Sequence, residues 1–288
     1  MKINSTTNTI CLLGHPIKHS FSPEIHNYLF EKHNQNNVYV CFDIQEKDLN
    51  KAVEGIKAMG ILGSNVTIPY KVDILKYLDN IDNNAKLIGA VNTIKNEDGI
   101  LTGYNTDGVG FVKSITDKGH TLEGKKVMII GAGGACRSIV VELASSNVLS
   151  IEIRNRSLDK AKEIVDIVKS SFNIEIMCST KAIDESDFEN VDILINTTPI
   201  GMESDLCPID ENIKLSKPIL ICDIVYKPYN TSFIKWAKSN GLDVVYGIDM
   251  LINQGIHAFY IWTGIQPTIE DVEHIKKIYQ KKNNIVFD

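Results

Sequence analysis

The chain of 288 residues carries 30 Lys and Arg against 36 Asp and Glu, a formal net charge of −6, and 43% of its residues are apolar. That length suits a globular protein of two domains, each large enough to bury its own core, and 19 Gly with 8 Pro are too few for a fibrous or low-complexity chain. A mildly acidic chain offers no field to hold a polyanionic backbone, and its one dense basic stretch, 276–282, falls in the last helical pattern, so nucleic acid is not expected as a partner.

The first residues, 1–8, contain no apolar signal core, and nowhere do about 18 apolar residues run together. The expectation is a cytoplasmic protein with no membrane span. Six cysteines are scattered without a C-x-x-C pair, so neither a zinc site nor a disulfide framework is indicated. His15 and His19 share a loop but lack a third ligand, and no metal is expected.

Short β-rich runs (Thr9–Leu13, Val38–Asp43, Gly63–Ile68) alternate with helical patterns (Pro23–His33, Lys47–Met59, Tyr70–Leu78), the form of an α/β layered domain. Ser22 is a good N-cap with Pro23 at the first helical position, so Ser22 serves either as a cap or as a ligand group, whereas Ser20 has no capping role to explain it. In Asn65-Val-Thr67-Ile-Pro69-Tyr-Lys71, alternation puts Asn65 and Thr67 on one strand face, Pro69 ends the strand, and Lys71 opens a helix. Ala90–Lys95 and Ile100–Tyr104 flank Asp98-Gly99, a hairpin signal. Gly89-Ala-Val-Asn92-Thr93 and Asn105-Thr-Asp107-Gly108 add amides, hydroxyls and a carboxylate near strand ends; Asp107 can also cap the next helix.

From Lys125 a second unit begins. An apolar strand runs into Gly131-Ala132-Gly133-Gly134-Ala135-Cys136 and a helix over Arg137–Asn147, followed by a strand at Ser150–Ile153, a helix at Leu158–Ser170, and strands at Val191–Asn196, Ile219–Asp223 and Leu242–Tyr246. Such a βαβ series predicts a parallel sheet of Rossmann type holding a dinucleotide at the carboxyl ends of its strands. Glycines at 131, 133 and 134 let the chain turn sharply and bring backbone N–H groups to a pyrophosphate at a helix N-terminus. Cys136 stands where the fingerprint has its third glycine, and a tight turn without ligand accounts for the glycines equally when they are taken alone.

An NAD site places an acid at the end of the second strand, but here the chain reads Arg154-Asn155-Arg156-Ser157, with Glu152 turned away by alternation. Arg156, Ser157 and Lys160 suit a 2′-phosphate instead, the guanidinium by bidentate pairing; a solvated Arg/Lys pair is the alternative. Helices at Asp249–Trp262 and Thr268–Lys281 follow the sheet and return to the first domain. Gln254 lies in an apolar helix, where a buried amide needs partners from a core network or a ligand.

Taken together, Gly14-x-Pro-Ile-x-His-Ser20-x-Ser22-Pro, Asn65-Val-Thr-Ile-Pro-Tyr-Lys71, Gly89-Ala-Val-Asn92-Thr93, Asn105-Thr-Asp107-Gly, Gly131-Ala-Gly-Gly-Ala, Asn155-Arg156-Ser157 and Met250-Leu-x-x-Gln254-Gly255 resemble the shikimate dehydrogenase family, in its order and across nearly the whole chain. The resemblance implies an NADP(H)-dependent oxidoreductase that reduces 3-dehydroshikimate to shikimate, in aromatic amino-acid biosynthesis, acting as a monomer or homodimer. It implies a substrate domain over 1–107 and 248–288 and a cofactor domain over 108–247. Lys71 and Asp107 match the family's catalytic pair, and Ser20, Ser22, Thr67, Asn92, Gln254 and Tyr226 its substrate contacts. Gly131, Ala132, Gly133, Gly134, Ala135, Asn155, Arg156, Ser157 and Lys160 match its cofactor contacts, with Ser157 where Thr is usual and Lys160 where Arg is usual. The rival readings are a quinate/shikimate dehydrogenase, which often accepts NAD, and a non-catalytic nucleotide sensor on the same scaffold, which would need neither Lys71 nor Asp107.

Overall fold

The computed structural model describes residues 3–287, and the chain divides into two compact units, one of Met1–Thr106 with Gln254–Asp288 and one of Asp107–Asn253. In the first, β1 (Asn8–Gly14), β2 (Asn37–Asp43) and β3 (Gly63–Val66) are parallel, in the order β2-β1-β3. The hairpin of β5 (Thr93–Glu97) and β6 (Ile100–Tyr104) joins β3 antiparallel, and a short β4 (Asn80–Ile81) closes the β6 edge. Asp98 and Gly99 both have positive φ, 52° and 87°, the type I′ geometry that Asp-Gly supplies. Helix α1 (Ser22–Lys32) buries Ile25, Leu29 and Phe30. Helix α2 (Leu49–Ala58) buries Leu49, Val53 and Ile56, a helical stripe that joins Leu13 and Val66 in one core; each such side chain contributes about 1.5–3 kcal/mol.

Two local expectations are corrected here. Ser22 does not cap α1: it is the first helical residue, Phe21 holds the cap position without a side-chain bond, and the Ser20 hydroxyl accepts from the Ser22 N–H at 3.2 Å. The 70–78 segment is not an α-helix that Lys71 opens. The chain turns over 68–72 and then forms a 3-10 helix, Asp73–Tyr77, because the Lys71 carbonyl is taken by the Val91 N–H at 2.8 Å while Leu75 N–H goes to Val72. That bond ties Lys71 to the strand entry next to Asn92. Helix α3 (Asn83–Ile88), capped by Asp82 and ended by Gly89 in the left-handed region, has no counterpart among the expected elements.

In the second unit α4 (Asp107–Thr116) precedes a wholly parallel six-stranded sheet in the order β12-β11-β10-β7-β8-β9. Its strands are β7 (Lys126–Ile130), β8 (Ser150–Arg154), β9 (Glu175–Ser179), β10 (Ile193–Asn196), β11 (Leu220–Asp223) and β12 (Val244–Val245). Helices α5 (Gly134–Ser145), α6 (Leu158–Ser171) and α7 (Ser232–Ser239) connect them. Neither β9 nor α7 stood out in the sequence. The strand order reverses between β7 and β10, the switch point at which doubly wound sheets bind ligands.

Helix α8 (Gly247–Thr263) is continuous, and the unit boundary falls within it, between Asn253 and Gln254. Its last turns pack in the first unit, where Trp262 Nε1 donates to the Ile94 carbonyl at 2.9 Å and Phe259 meets Phe30. Helix α9 (Ile269–Asn283) opens on a capping box of Thr268 and Asp271. Asp271 is fully buried and accepts from Thr268 N–H at 2.7 Å and contacts His33 at 3.1 Å and Tyr28 at 3.4 Å, so one carboxylate fastens α9 to α1. Burial alone would raise its pKa, but the Thr268 and His33 bonds hold it below the usual value. A carboxyl depressed in the folded state stabilises above its unfolded pKa and loses that contribution as pH falls through its folded value. Asp271→Asn is therefore expected to cost about 1–3 kcal/mol at pH 7, and the gap to wild type should close in acid. Urea unfolding of both proteins from neutral to acid pH measures it; a gap constant with pH would contradict the assignment.

Candidate active site

The first unit gathers amides and hydroxyls around the entry to β5. Asn92 is 3% exposed; its Oδ1 accepts from Thr106 N–H at 2.8 Å and its Nδ2 donates to Thr106 Oγ1 at 2.9 Å. Thr106 Oγ1 in turn lies 3.4 Å from Gln254 Oε1, so three residues far apart in the chain form one buried cluster. Asn105 Nδ2 braces the same turn on the Ala90 carbonyl at 3.0 Å. For Gln254 both earlier alternatives thus meet in one place: the residue belongs to a core network, and that network is itself composed of candidate ligand groups. Thr67 is half-buried, spends its N–H on the Leu13 carbonyl at 2.9 Å, and its hydroxyl takes no hydrogen bond among the described residues. Lys71 is half-buried in the turn that follows.

Ser20 lies on the loop that leaves β1 and Ser22 opens α1, the two linked by the bond from Ser22 N–H to Ser20 Oγ. His15 on that loop meets Asp43 at 2.5 Å, and Tyr70 OH donates to the Ile44 carbonyl at 2.6 Å, so the loop, the end of β2 and the Lys71 turn are held to one another. His15 therefore serves as a tie. Among the described residues no group of His, Cys, Asp and Glu is arranged to hold a metal ion, and no helix is long and apolar enough to cross a membrane.

In the second unit Asp107, 5% exposed, is the first residue of α4. Gly131 ends β7 at φ +106°, and a Cβ there would lie 2.7 Å from Thr197 Oγ1, so only glycine suits the switch point. A Cβ on Gly133 or Gly134 would meet nothing within 4 Å, and α5 begins without a side-chain cap hydrogen bond. Cys136, in the place of the third glycine, is fully buried, and burial pushes its thiol up to about 12, so it packs as a small apolar residue. These features fit a dinucleotide pyrophosphate at the turn.

At the end of β8 two arginines separate. Arg154 is 6% exposed, contacts Glu152 at 2.7 Å and Asp187 at 2.6 Å, and donates to the Lys181 carbonyl at 3.2 Å. It is structural, and it also neutralises the one acid on that strand. Arg156, Ser157 and Lys160 are exposed; Ser157 occupies the N-cap of α6 without using its hydroxyl to cap it. Asn155 shapes the turn, its Nδ2 donating to the Ser157 carbonyl at 2.7 Å.

The sequence reading missed the polar ends of β10 and β11. Asn196 Nδ2 donates to Asp223 Oδ1 at 3.0 Å, Thr231 donates to Asp223 Oδ2 at 2.7 Å, and Thr198 is held on Asn196 Oδ1. Burial raises Asp223 to about 6. The available signal was one polar residue closing each apolar strand. Tyr226 follows three residues later, and burial raises the pKa of its phenol.

Three family models match in chain order: the shikimate dehydrogenase substrate binding domain over 12–94, shikimate / quinate 5-dehydrogenase over 112–226, and the shikimate 5'-dehydrogenase C-terminal domain over 247–274. A shikimate dehydrogenase (NADP(+)) from Caldanaerobacter subterraneus is 45% identical over 267 residues, 92% of this chain and 94% of that protein. The chain belongs to the shikimate dehydrogenase family. Among solved structures, the shikimate 5-dehydrogenase of Listeria monocytogenes in complex with shikimate and NAD is 34% identical and superposes with a TM-score of 0.88 over 97% of this chain and 98% of that one. A 5-ketofructose reductase from Gluconobacter, 31% identical, superposes at 0.86 over 96% of this chain and all of that one. Shikimate dehydrogenase relatives thus share one scaffold with an enzyme named for a different polyhydroxylated ketone.

Proposed function

We propose that this protein catalyses the reversible NADPH-dependent reduction of 3-dehydroshikimate to shikimate. The observation that carries the reading is the joint presence of Lys71, Asp107 and the Asn92–Thr106–Gln254 cluster in a chain 45% identical to a shikimate dehydrogenase (NADP(+)). We assign substrate binding to the segments 1–107 and 248–288 and cofactor binding to 108–247. A cyclic carboxylate with several hydroxyls needs many donors and acceptors, and the hydroxyls of Ser20, Ser22 and Thr67, the amides of Asn92 and Gln254 and the phenol of Tyr226 supply them without a metal.

NADP(H) would be held by the 131–135 turn through backbone N–H groups, with Asn155, Arg156, Ser157 and Lys160 at the 2′-phosphate, and it supplies a hydride equivalent when bound. As the ketone carbon is reduced, negative charge grows on its oxygen. The Lys71 ammonium gives its Nζ proton to that oxygen, and Asp107 orients the reacting hydroxyl and the lysine. In the oxidative direction neutral Lys71 accepts the hydroxyl proton. Incubating purified protein with 3-dehydroshikimate and NADPH, and following the loss of reduced-nicotinamide absorbance, tests the reading; parallel runs with NADH and with quinate decide the rival. Absence of turnover with 3-dehydroshikimate would reject it.

Ser20 is the sharpest test of substrate recognition. If its hydroxyl meets the substrate carboxylate, Ser20→Ala should raise KM for shikimate roughly 10- to 100-fold, the value of a charge-assisted hydrogen bond. Because Ser20 also accepts from the Ser22 N–H, a loss of about 0.5–1 kcal/mol in stability should accompany it. Steady-state kinetics beside thermal unfolding separate the two effects. A lowered Tm with unchanged KM would make Ser20 purely structural.

A further inference from the structure

Tyr39 sits on the edge strand β2, 2% exposed, and nothing above gives it a role. Its backbone faces outward from the sheet and is clamped by one side chain of α1: Asn27 Nδ2 donates to the Tyr39 carbonyl at 3.0 Å, and the Tyr39 N–H donates to Asn27 Oδ1 at 2.8 Å. The outward N–H and C=O of this one edge-strand residue are thereby satisfied. The ring lies against His26 at 4.5 Å and 24°, and His26, fully buried, has neither ring nitrogen hydrogen-bonded. Burial lowers His26 to about 3, against a smaller opposing pull from the Asn65 side chain, so the ring beneath Tyr39 is uncharged and offers the phenol no competing charge.

The phenol donates to Asn65 Oδ1 at 2.7 Å. Asn65 Nδ2 then donates to the Asn92 carbonyl at 3.1 Å and to Thr93 Oγ1 at 3.0 Å, and Thr93 Oγ1 donates to Asn92 Oδ1, also at 3.0 Å. A backbone carbonyl can only accept and the Thr106 N–H can only donate, so both amides have one allowed orientation in this chain of bonds. Asn92 Oδ1 already takes Thr106 N–H and Thr93 Oγ1, and Thr106 Oγ1 passes on to Gln254 Oε1. The phenol is the inner end of the chain and Gln254 the outer end.

We propose that Tyr39 is a positioning residue for the substrate groups Asn92 and Gln254, acting through Asn65; the inference rests on the reading of those two residues as substrate contacts. Without the hydroxyl, Asn65 Oδ1 loses its 2.7 Å donor, and the amide is free to turn toward the His26 ring beside it. Its hold on the Asn92 carbonyl and on Thr93 then relaxes, and the two outer amides lose their fixed placement. Tyr39→Phe removes the Asn65 bond and the phenol's weaker interaction with Ser22, and keeps the ring on His26 and Trp262.

The test is steady-state kinetics of Tyr39→Phe in the shikimate-oxidising direction, with Asn92→Ala, Gln254→Ala and the two double variants that include Tyr39→Phe. The expected result for Tyr39→Phe is a shikimate KM raised about three- to tenfold, with kcat and the KM for NADP+ little changed. In each double variant the phenylalanine should add little to the alanine already present, since both act on one chain. Fully multiplicative effects, an unchanged shikimate KM, or a parallel rise in both KM values would overturn the proposal, the last because a merely loosened fold makes no distinction between ligands. Should Asn92→Ala and Gln254→Ala leave the shikimate KM unaltered while Tyr39→Phe raises it, the reading of the amides as substrate contacts fails and the proposed route with it. Should the alanine variants raise KM and Tyr39→Phe not, that reading stands and only the role of Tyr39 falls.

Discussion

Lys71→Ala is expected to lower kcat by roughly 10²–10⁴ with a smaller change in KM, since a proton given to the developing oxyanion is worth that much and is delivered only in the transition state. The fold should survive. The bond that shapes the turn runs from Val91 N–H to the Lys71 backbone carbonyl, which alanine retains, and Tyr70 and Ile74 on either side keep their places in the core. A fall in kcat without a fall in Tm therefore separates chemistry from structure at this position. Asp107→Asn should act on the same step, and the double variant should lose less than the product of the single losses. Single-turnover measurements on all three proteins decide it. A Lys71→Ala enzyme with near-normal kcat would remove the lysine from the mechanism and leave the sensor reading in possession of the scaffold.

What the sequence disclosed and what it hid follow from the range of the interactions involved. The hairpin at Asp98-Gly99 and the turn at Gly131 were legible because positive φ is a local demand that few residues meet, and local demands are written in local sequence. The parallel sheet was legible from apolar runs separated by helical patterns. The Lys71 turn was not, because the group that denies Lys71 a helical hydrogen bond is Val91, which no periodicity near residue 71 announces. The two serines exchanged roles for a similar reason: cap preferences favour Ser22, but the chain enters α1 one residue early and leaves Ser20 to accept the N–H.

The amides of the first unit show the same division. That Asn65, Asn92 and Gln254 are polar residues in apolar surroundings is visible in the sequence, and burial obliges each to find partners. Which partners they find is a tertiary matter. Asn65 reaches Tyr39 across the sheet and Gln254 reaches Thr106 from a helix 148 positions away, so the network could be anticipated as a requirement and not as a set of bonds. Arg154 marks the limit most plainly. It stands two residues before Arg156 and is no phosphate candidate; strand alternation aligns it with Glu152, and Asp187, 33 positions on, completes its burial.

On the proposed reading, cofactor choice falls to Arg156, with Ser157 and Lys160 near it in the sequence and all three exposed. Because Arg154 and Glu152 neutralise each other, no acid remains at the end of β8 to receive a ribose 2′-hydroxyl, and the exposed cations favour a phosphate there. Arg156→Ala removes bonds that exist only when the 2′-phosphate is present. It should raise KM for NADPH roughly 10- to 100-fold and leave the weaker use of NADH nearly unchanged. Added salt should reproduce part of the loss in the wild type and little in the variant, since an exposed ion pair is screened and a deleted one cannot be. The relative from Listeria solved with NAD makes the NADH arm of the experiment as informative as the NADPH arm. Measuring kcat/KM for both cofactors, in both proteins and at two ionic strengths, gives the answer. A wild type that prefers NADH, or a variant that loses both cofactors equally, would show that Arg156 is no phosphate clamp and would turn the assignment toward a quinate/shikimate dehydrogenase using NAD.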